Sequence, residues 1–421
     1  MYAIKRDMLS ALSEHLEHRE MTLITGPRQA GKTTLMIELM ARLKSKGQQS
    51  LLLNLDREID QPHFESQAQL IQKLRLELGE TGGFVFIDEI QRKINAGLFL
   101  KGLYDSNLPY KFIISGSGSL ELKEKIHESL AGRKRLFSCP TVSLGEFFHY
   151  RTNYRYRTIG LQAFSQIESA QADLLLTEYL NFGGYPQVVL VDKQSEKQRY
   201  IDEIISSTLE KDIQILLQIE RADAFRQLIR LLAAQSGQLI NYSALSNAIG
   251  ISVATIKKYL WYAESTFIIT LVSPFFNNIK KEITKAPMVY FNDLGFRNYM
   301  LNRFGSLDTA HELGLVFQNL VFHCLLSITQ FTAASVHFWR SKDKAEVDFV
   351  IRNGNDLIPI EVKYTAFKQS RVSRSYRHFI GKYSPRRGYI INRNLKEITK
   401  IDSTEVHFIS IWELLELKDF V

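Results

Sequence analysis

The sequence predicts an α/β protein: an N-terminal doubly wound parallel sheet, a helical middle with a winged-helix-like segment, and a C-terminal α/β unit. Three observations carry this. From Met21 to Ser117 short apolar runs alternate with helix-patterned segments, the βαβα order of a parallel sheet. A glycine loop joins the first of these runs to the first helix. Between Val336 and Lys363 three strand-like runs follow one another, with Arg352-Asn-Gly-Asn355 as a hairpin turn.

Residues 1–140 hold the parallel-sheet core. An amphipathic helix within residues 1–20 feeds the strand Met21–Thr25, and Thr34 to Leu43 has helical spacing of apolar residues. Ser50–Asp56 is a strand with a polar and acidic tip, 66–79 a helix, Phe84–Ile87 a strand, Leu98–Ser106 a helix and Tyr110–Ser117 a strand. Residues 141–222 read as a helical lid or linker, punctuated by Gly183-Gly-Tyr-Pro186. Residues 223–300 read as a winged-helix-like segment, with a small helical unit at 223–273 in which Val253–Leu260 would be a recognition helix capped by Ser252, with Lys257 and Lys258 able to reach phosphates. A protein-binding lid fits the same pattern. Residues 301–421 form the last unit.

The chemistry starts at Gly26-Pro27-Arg28-Gln29-Ala30-Gly31-Lys32-Thr33, which fits G-x-x-x-x-G-K-[ST] between strand and helix. Glycines let successive N–H groups turn toward an anion at a helix N-terminus, where the dipole also favours negative charge. Lys32 would reach the outer phosphates of ATP, Thr33 would ligate Mg2+, and Thr34 follows in the cradle. Phe84-Val-Phe-Ile-Asp88-Glu89 is an apolar run ending in two carboxylates, as suits a strand buried on both faces. Ligands of open α/β sheets bind at such strand ends. Asp88 is therefore expected to hold the metal and Glu89 to act as base on the attacking water. Ser115 or Ser117 could sense the outermost phosphate, although small hydroxyls also end strands in ordinary turns. Arg133, after Leu130-Ala-Gly132, could stabilise transition-state charge in cis or from a neighbouring subunit; a plain surface arginine has the same sequence signature.

Composition narrows the class. With 45% hydrophobic and 23% charged residues the chain reads as globular, and Cys139 and Cys324 offer neither a disulfide framework nor a zinc site. The start lacks a signal-peptide core, and the apolar stretches Phe267–Val272 and Phe317–Ile328 are short or interrupted, so a cytoplasmic protein with no membrane partner is expected. The net charge of +8 concentrates in 364–400. There Lys368, Arg371, Arg374, Arg377, Lys382, Arg386, Arg387, Arg393, Lys396 and Lys400 face a lone acid, Glu397, with aromatic residues interleaved. On a helix Arg371, Arg374 and Arg377 would form one strip, either a nucleic-acid footprint or a solvated face.

A second constellation is Asp348 with Glu361-Val-Lys363, the pattern of PD-(D/E)-x-K nucleases. Residues two apart on a strand share a face, so Glu361 and Lys363 emerge together and Asp348 can meet Glu361 across the hairpin. Two carboxylates could chelate magnesium while the lysine orients water; Glu346 shares the face. A cross-strand ion pair would look the same.

Taken in order, Gly26–Thr33, Asp88-Glu-Ile-Gln91, Ile114-Ser-Gly-Ser117, Leu130–Arg133, Gly183–Pro186, Lys211-Asp212, Asn292-Asp-Leu-Gly295 and Glu346–Lys363 resemble a family of AAA-like ATPases of bacteria and archaea. Members carry a C-terminal domain of unknown function with a restriction-endonuclease-like core. The resemblance implies ATP binding and hydrolysis through Lys32, Thr33, Asp88 and Glu89, roles for Ser115 and Arg133, a winged-helix segment and a nuclease-like tail. In one respect the chain departs: where similar nucleases supply a helical glutamate, it has Gln318. Three functions stay open: an ATPase that switches its C-terminal domains, an ATP-regulated nucleic-acid binder or endonuclease, and a non-hydrolysing ATP-binding scaffold. The partner could be nucleic acid, another protein or a second copy of the chain.

Overall fold

The computed structural model describes residues 4–117, 130–209, 221–276, 282, 285–307 and 309–417; the Lys211-Asp212 motif lies outside them. Among the described residues thirteen strands form three sheets. β1 (Met21–Gly26), β2 (Ser50–Asn54), β3 (Gly83–Asp88), β4 (Tyr110–Ser117) and β5 (Lys134–Ser138) make a parallel sheet in the order β2-β3-β4-β1-β5. The apolar runs at β1, β3 and β4 are its centre, and β1 is buried at every residue. β5 was not expected; its alternating, half-exposed Lys-Arg-Leu-Phe-Ser pattern suits the edge it occupies. The N-terminal helix is shorter than expected, Met8–His15, and lays Met8, Leu9 and Leu12 onto the core formed by Ile24, Leu35 and Leu39.

The middle begins with helices Leu144–Arg151, Leu161–Ile167 and Ser169–Phe182. These are not a detached linker. Phe148, Phe164 and Leu176 share a core with Phe317, Leu320, Phe349 and Trp412, and Trp412 stacks edge-on against Phe148 at 4.4 Å. Next come Ala222–Ala234, Tyr242–Ile249 and Val253–Ser265, followed by the antiparallel pair β6 (Ile269–Val272) and β7 (Met288–Phe291). Gly250, left-handed at φ 73°, ends the second of these helices, and Ser252 Oγ accepts the Thr255 N–H to start the third.

The C-terminal unit is a six-stranded mixed sheet, β12-β13-β11-β10-β9-β8. It comprises β8 (Ser335–Arg340), β9 (Glu346–Asn353), β10 (Asp356–Val362), β11 (Arg387–Asn392), β12 (Glu397–Ile401) and β13 (Thr404–Ser410). Against it pack the helices Ala310–Thr329 and Arg374–Tyr383. The first corrects the membrane reading in part: by length and composition it is apolar enough to span a bilayer, and half of that stretch is buried inside the protein. The second corrects the basic strip. Ser373 caps the helix at Arg374, so Arg371 lies on the loop before it and only Arg374 and Arg377 share its exposed face.

Candidate functional site

The loop after β1 turns at Gln29 (φ 56°) and Gly31 (φ 93°) before entering helix Lys32–Ser45. Left-handed residues in alternation are what a nest of inward N–H groups requires. Pro27, Ala30 and Lys32 are buried, Thr34 is exposed, and the Lys32 ammonium folds onto the carbonyls of Gly26 (3.0 Å) and Pro27 (2.7 Å). Gly26 tolerates no side chain, since a Cβ there would lie 2.1 Å from the Cys139 carbonyl oxygen.

The end of β3 meets this loop. Thr33 Oγ1 donates to Asp88 Oδ2 at 2.7 Å, Asn54 Nδ2 donates to the same oxygen at 3.2 Å, and Ser115 Oγ donates to Asp88 Oδ1. Hydroxyl and carboxylate oxygens gathered beside a phosphate loop are the donor set a hard divalent cation takes, so the residues fit magnesium. Glu89 sits in left-handed backbone at φ 58°, and Gln91 Nε2 donates to its carboxylate. Burial pushes the Glu89 carboxyl above its ordinary range, assisted by Asp88 and opposed by Lys32. Burial likewise lowers Lys32, with Arg28 adding to the effect and Glu89 and Asp88 opposing it. Glu89 and Lys32 thus influence each other's charge, and burial pushes each toward its neutral form.

Two residues were missed by sequence reasoning. Asn54 gave a signal, the polar tip of β2; Gln91 gave none beyond lying two residues after Glu89. Ser115 joins the site by holding Asp88; the Ser117 side chain lies outside the described ones. Arg133 does not join. Its carbonyl accepts the Met21 N–H at the opposite end of β1, its Nε pairs with Asp105 Oδ1 at 2.8 Å, and its guanidinium lies over the Tyr104 ring. Parallel pairing of β1 with β5 places the start of both strands away from the loop, so Arg133 cannot reach the loop of its own chain.

The second constellation does assemble. Lys363 Nζ pairs with Glu361 Oε1 at 2.9 Å, and Ser373 Oγ donates to Glu361 Oε2 at 2.9 Å. Asp348 Oδ2 accepts the Val362 N–H at 2.7 Å, and Oδ1 accepts from Gln318 Nε2 at 3.0 Å. Glu346 points elsewhere, to Arg340 at 3.3 Å. Burial drives Asp348 up to about 6, with Lys363 opposing the shift and Glu361 and Glu346 adding to it. Among the described residues no three His, Cys, Asp or Glu side chains gather to hold a metal. The neighbour on the Oδ1 side of Asp348 is an amide donor, Gln318.

The glycine motif of the middle segment joins the units. Gly184 N–H donates to Asp293 Oδ2 at 2.8 Å, Asp293 Oδ1 caps Phe296, and the Gly184 carbonyl accepts the Val142 N–H at 2.7 Å. A Cβ on Gly31 would lie 3.8 Å from both Pro186 Cγ and Arg6 Nη1, so this motif abuts the phosphate loop.

Residues 18–148 match the family model of an AAA domain, 173–307 that of a domain of unknown function (DUF8612) and 313–414 that of another (DUF4143). The N-terminal part is thus an AAA-type P-loop domain. An uncharacterized protein of Mycobacterium tuberculosis is 26% identical over 377 residues, covering 89% of this chain and 76% of that protein. One of Haemophilus influenzae is 25% identical over 407 residues, covering 93% and 94%. One of Methanocaldococcus jannaschii is 25% identical over 386 residues, covering 90% and 82%. Among solved structures, Aeropyrum pernix Orc1 in complex with DNA overlaps with a TM-score of 0.30 at 11% identity, covering 71% of this chain and 92% of that one. Cdc6p of Pyrobaculum aerophilum gives 0.31 at 11%, covering 76% and 97%. Overlaps this loose carry no argument about function.

Proposed function

We propose that the chain is a magnesium-dependent ATPase that couples hydrolysis to movement of its middle and C-terminal units. The observation that carries the reading is the convergence of Lys32, Thr33, Asp88 and Glu89 at the strand ends of an AAA domain. The loop N–H groups and Lys32 would hold the triphosphate; Thr33 and Asp88 would hold magnesium, which supplies charge neutralisation at the phosphates. Glu89, kept basic by burial and aimed by Gln91, would take the proton of the attacking water. Asn54 and Ser115 would hold the Asp88 carboxylate in register. No arginine finger is assigned within the chain, so Arg133 remains available only to a neighbouring subunit. The joint of Gly184 with Asp293, two residues before Pro186 at the loop, is the route by which closure would reach the rest. A cytoplasmic location belongs to this proposal.

A second reading, nucleic-acid binding by the C-terminal units, is supported by exposed Arg374, Arg377 and Lys382 on one helix and by exposed Lys257, Lys258 and Trp261 on the winged-helix-like segment. Binding is favoured over cutting, because Gln318 supplies no charge toward a metal.

The test is phosphate release from ATP with magnesium, with and without DNA and RNA, using Lys32→Ala as the blank. Glu89→Gln should bind ATP and lose roughly a hundredfold or more in turnover. Normal turnover by Glu89→Gln would remove it from the role of base. Stimulation by one nucleic acid would name the ligand of the C-terminal units; indifference would favour a protein partner.

A further inference from the structure

We infer that Arg6 is a positioning residue for the phosphate loop, one that fixes the Ala30–Gly31 peptide so that the Gly31 N–H faces the phosphates; this rests on the ATP-binding reading above. Arg6 lies just before the helix Met8–His15, behind the loop, with 7% of its side chain exposed. Its Nη1 donates to the Ala30 carbonyl at 2.9 Å. Nη2 donates to the carbonyls of Pro140 (2.6 Å) and Thr141 (3.3 Å), and Nε lies 3.1 Å from each oxygen of Glu146. The Glu146 carboxylate, 5% exposed, also accepts the N–H groups of Asp7 (2.8 Å) and Ser143 (2.9 Å).

The consequence for the loop follows from peptide geometry. In a trans peptide the C=O and the next N–H point in opposite directions. A guanidinium holding the Ala30 carbonyl on the outside of the loop therefore turns the Gly31 N–H inward. Released, that peptide could rotate and present a carbonyl dipole to the phosphates, the wrong sign for the site. Gly31, at φ 93°, has no side chain to resist such a rotation.

Stability gives no comparable reason for a buried arginine here. Desolvation of a buried ion pair offsets most of its Coulombic gain, and apolar replacements often do as well. What an apolar pair cannot do is bridge the loop carbonyl to Glu146, which stands in the first turn of helix Leu144–Arg151. Arg6 thus ties the loop to the first helix beyond the sheet, and movement of either is felt by the other.

The experiment compares Arg6→Lys and Arg6→Gln with Glu178→Gln in the full chain. Glu178 pairs with Arg151, at the far end of the helix that carries Glu146, and with Lys197, without the link to the Ala30 carbonyl, so its variant controls for general loss of stability in the same region. Affinity for a fluorescent Mg-ATP analogue, urea midpoints and hydrogen exchange of amides 29–33 are measured. Lysine keeps the charge but cannot bridge all the acceptors. Arg6→Lys should weaken affinity at least tenfold and speed exchange in the loop but not in β3 or β4, with Arg6→Gln weaker still. Glu178→Gln should bind within twofold of the native chain at a similar midpoint. The inference fails if Arg6→Lys binds within twofold of native, or if Glu178→Gln loses as much affinity at an equal midpoint. Should Arg6→Gln not fold, Arg6→Lys decides. A native chain that shows no Lys32-dependent binding would sink the nucleotide reading itself, a result distinct from unchanged binding by Arg6→Lys.

Discussion

Gln318 donates its Nε2–H to Asp348 Oδ1 at 3.0 Å, which sets a neutral amide against the carboxyl group on β9 of the C-terminal sheet. The same amide lies 3.3 Å from the Tyr290 hydroxyl of β7, so the contact also joins that sheet to the two-stranded β6–β7 sheet.

Replacing the amide by a carboxylate should reverse the character of the pocket. Gln318→Glu places two like charges together and is expected to lower the thermal midpoint in chelator, with recovery on adding manganese or magnesium. The native C-terminal unit should be indifferent to chelator. Differential scanning fluorimetry with and without metal checks this; recovery by the native protein on adding metal would contradict it.

The pH dependence of stability follows from Asp348. Its folded pKa of about 6 lies above the ordinary 3.8, so the native state binds the proton more tightly than the unfolded chain. Stability from this group is therefore lost as pH rises from about 4 through about 6. Asp348→Asn, whose amide can still accept from Val362 once Gln318 rotates, should remove that loss. The gain relative to the native chain should be on the order of 2–3 kcal/mol at pH 7 and vanish near pH 4. Urea unfolding at both pH values measures it.

Gly184→Ala should be among the costly small substitutions. A Cβ there would sit 2.2 Å from the Val142 carbonyl oxygen and 3.0 Å from the Tyr179 hydroxyl, both held in the joint with Asp293. A loss of roughly 2–4 kcal/mol is expected, against a gain of about 0.5–1 kcal/mol for Gly381→Ala, which lies within the helix Arg374–Tyr383 and meets nothing within 4 Å. Chemical denaturation of the two variants is the comparison.

Arg133→Ala should leave turnover by the isolated chain within about twofold of native, since Arg133 lies at the far end of β1 with Asp105. Loss of a partly exposed ion pair should change stability by under about 1 kcal/mol. A large fall in turnover that depends on protein concentration would instead place it in a neighbouring subunit's site.

Much of the nucleotide site was legible in the residues. Gly26–Thr33 declares its own backbone because glycine spacing, lysine and hydroxyl act over one turn, and Asp88-Glu89 is flagged by an apolar run that only a doubly covered strand explains. The pairing of Glu361 with Lys363 was legible for the same local reason, the period of two along a strand. Asn54 and Arg6 were not singled out, because their partners lie on other strands or far along the chain; Gln91 was quoted only within the Asp88–Gln91 motif, since its hold on Glu89 depends on the tight turn at that residue. The helical strip of Arg371, Arg374 and Arg377 was misread by one turn, since Ser373 starts the helix later than the arginine spacing suggested.

Local chemistry, then, determined which loop can hold phosphate, which strand ends carry acids and where the chain turns, because these rest on neighbours a few residues apart. Only the tertiary structure decided that Arg133 stands away from its own loop, that residues 142–182 belong to the core of the C-terminal unit, and that Gln318 meets Asp348. Those outcomes depend on strand order and on contacts across hundreds of residues. Burial and register, which no short window of sequence contains, set them.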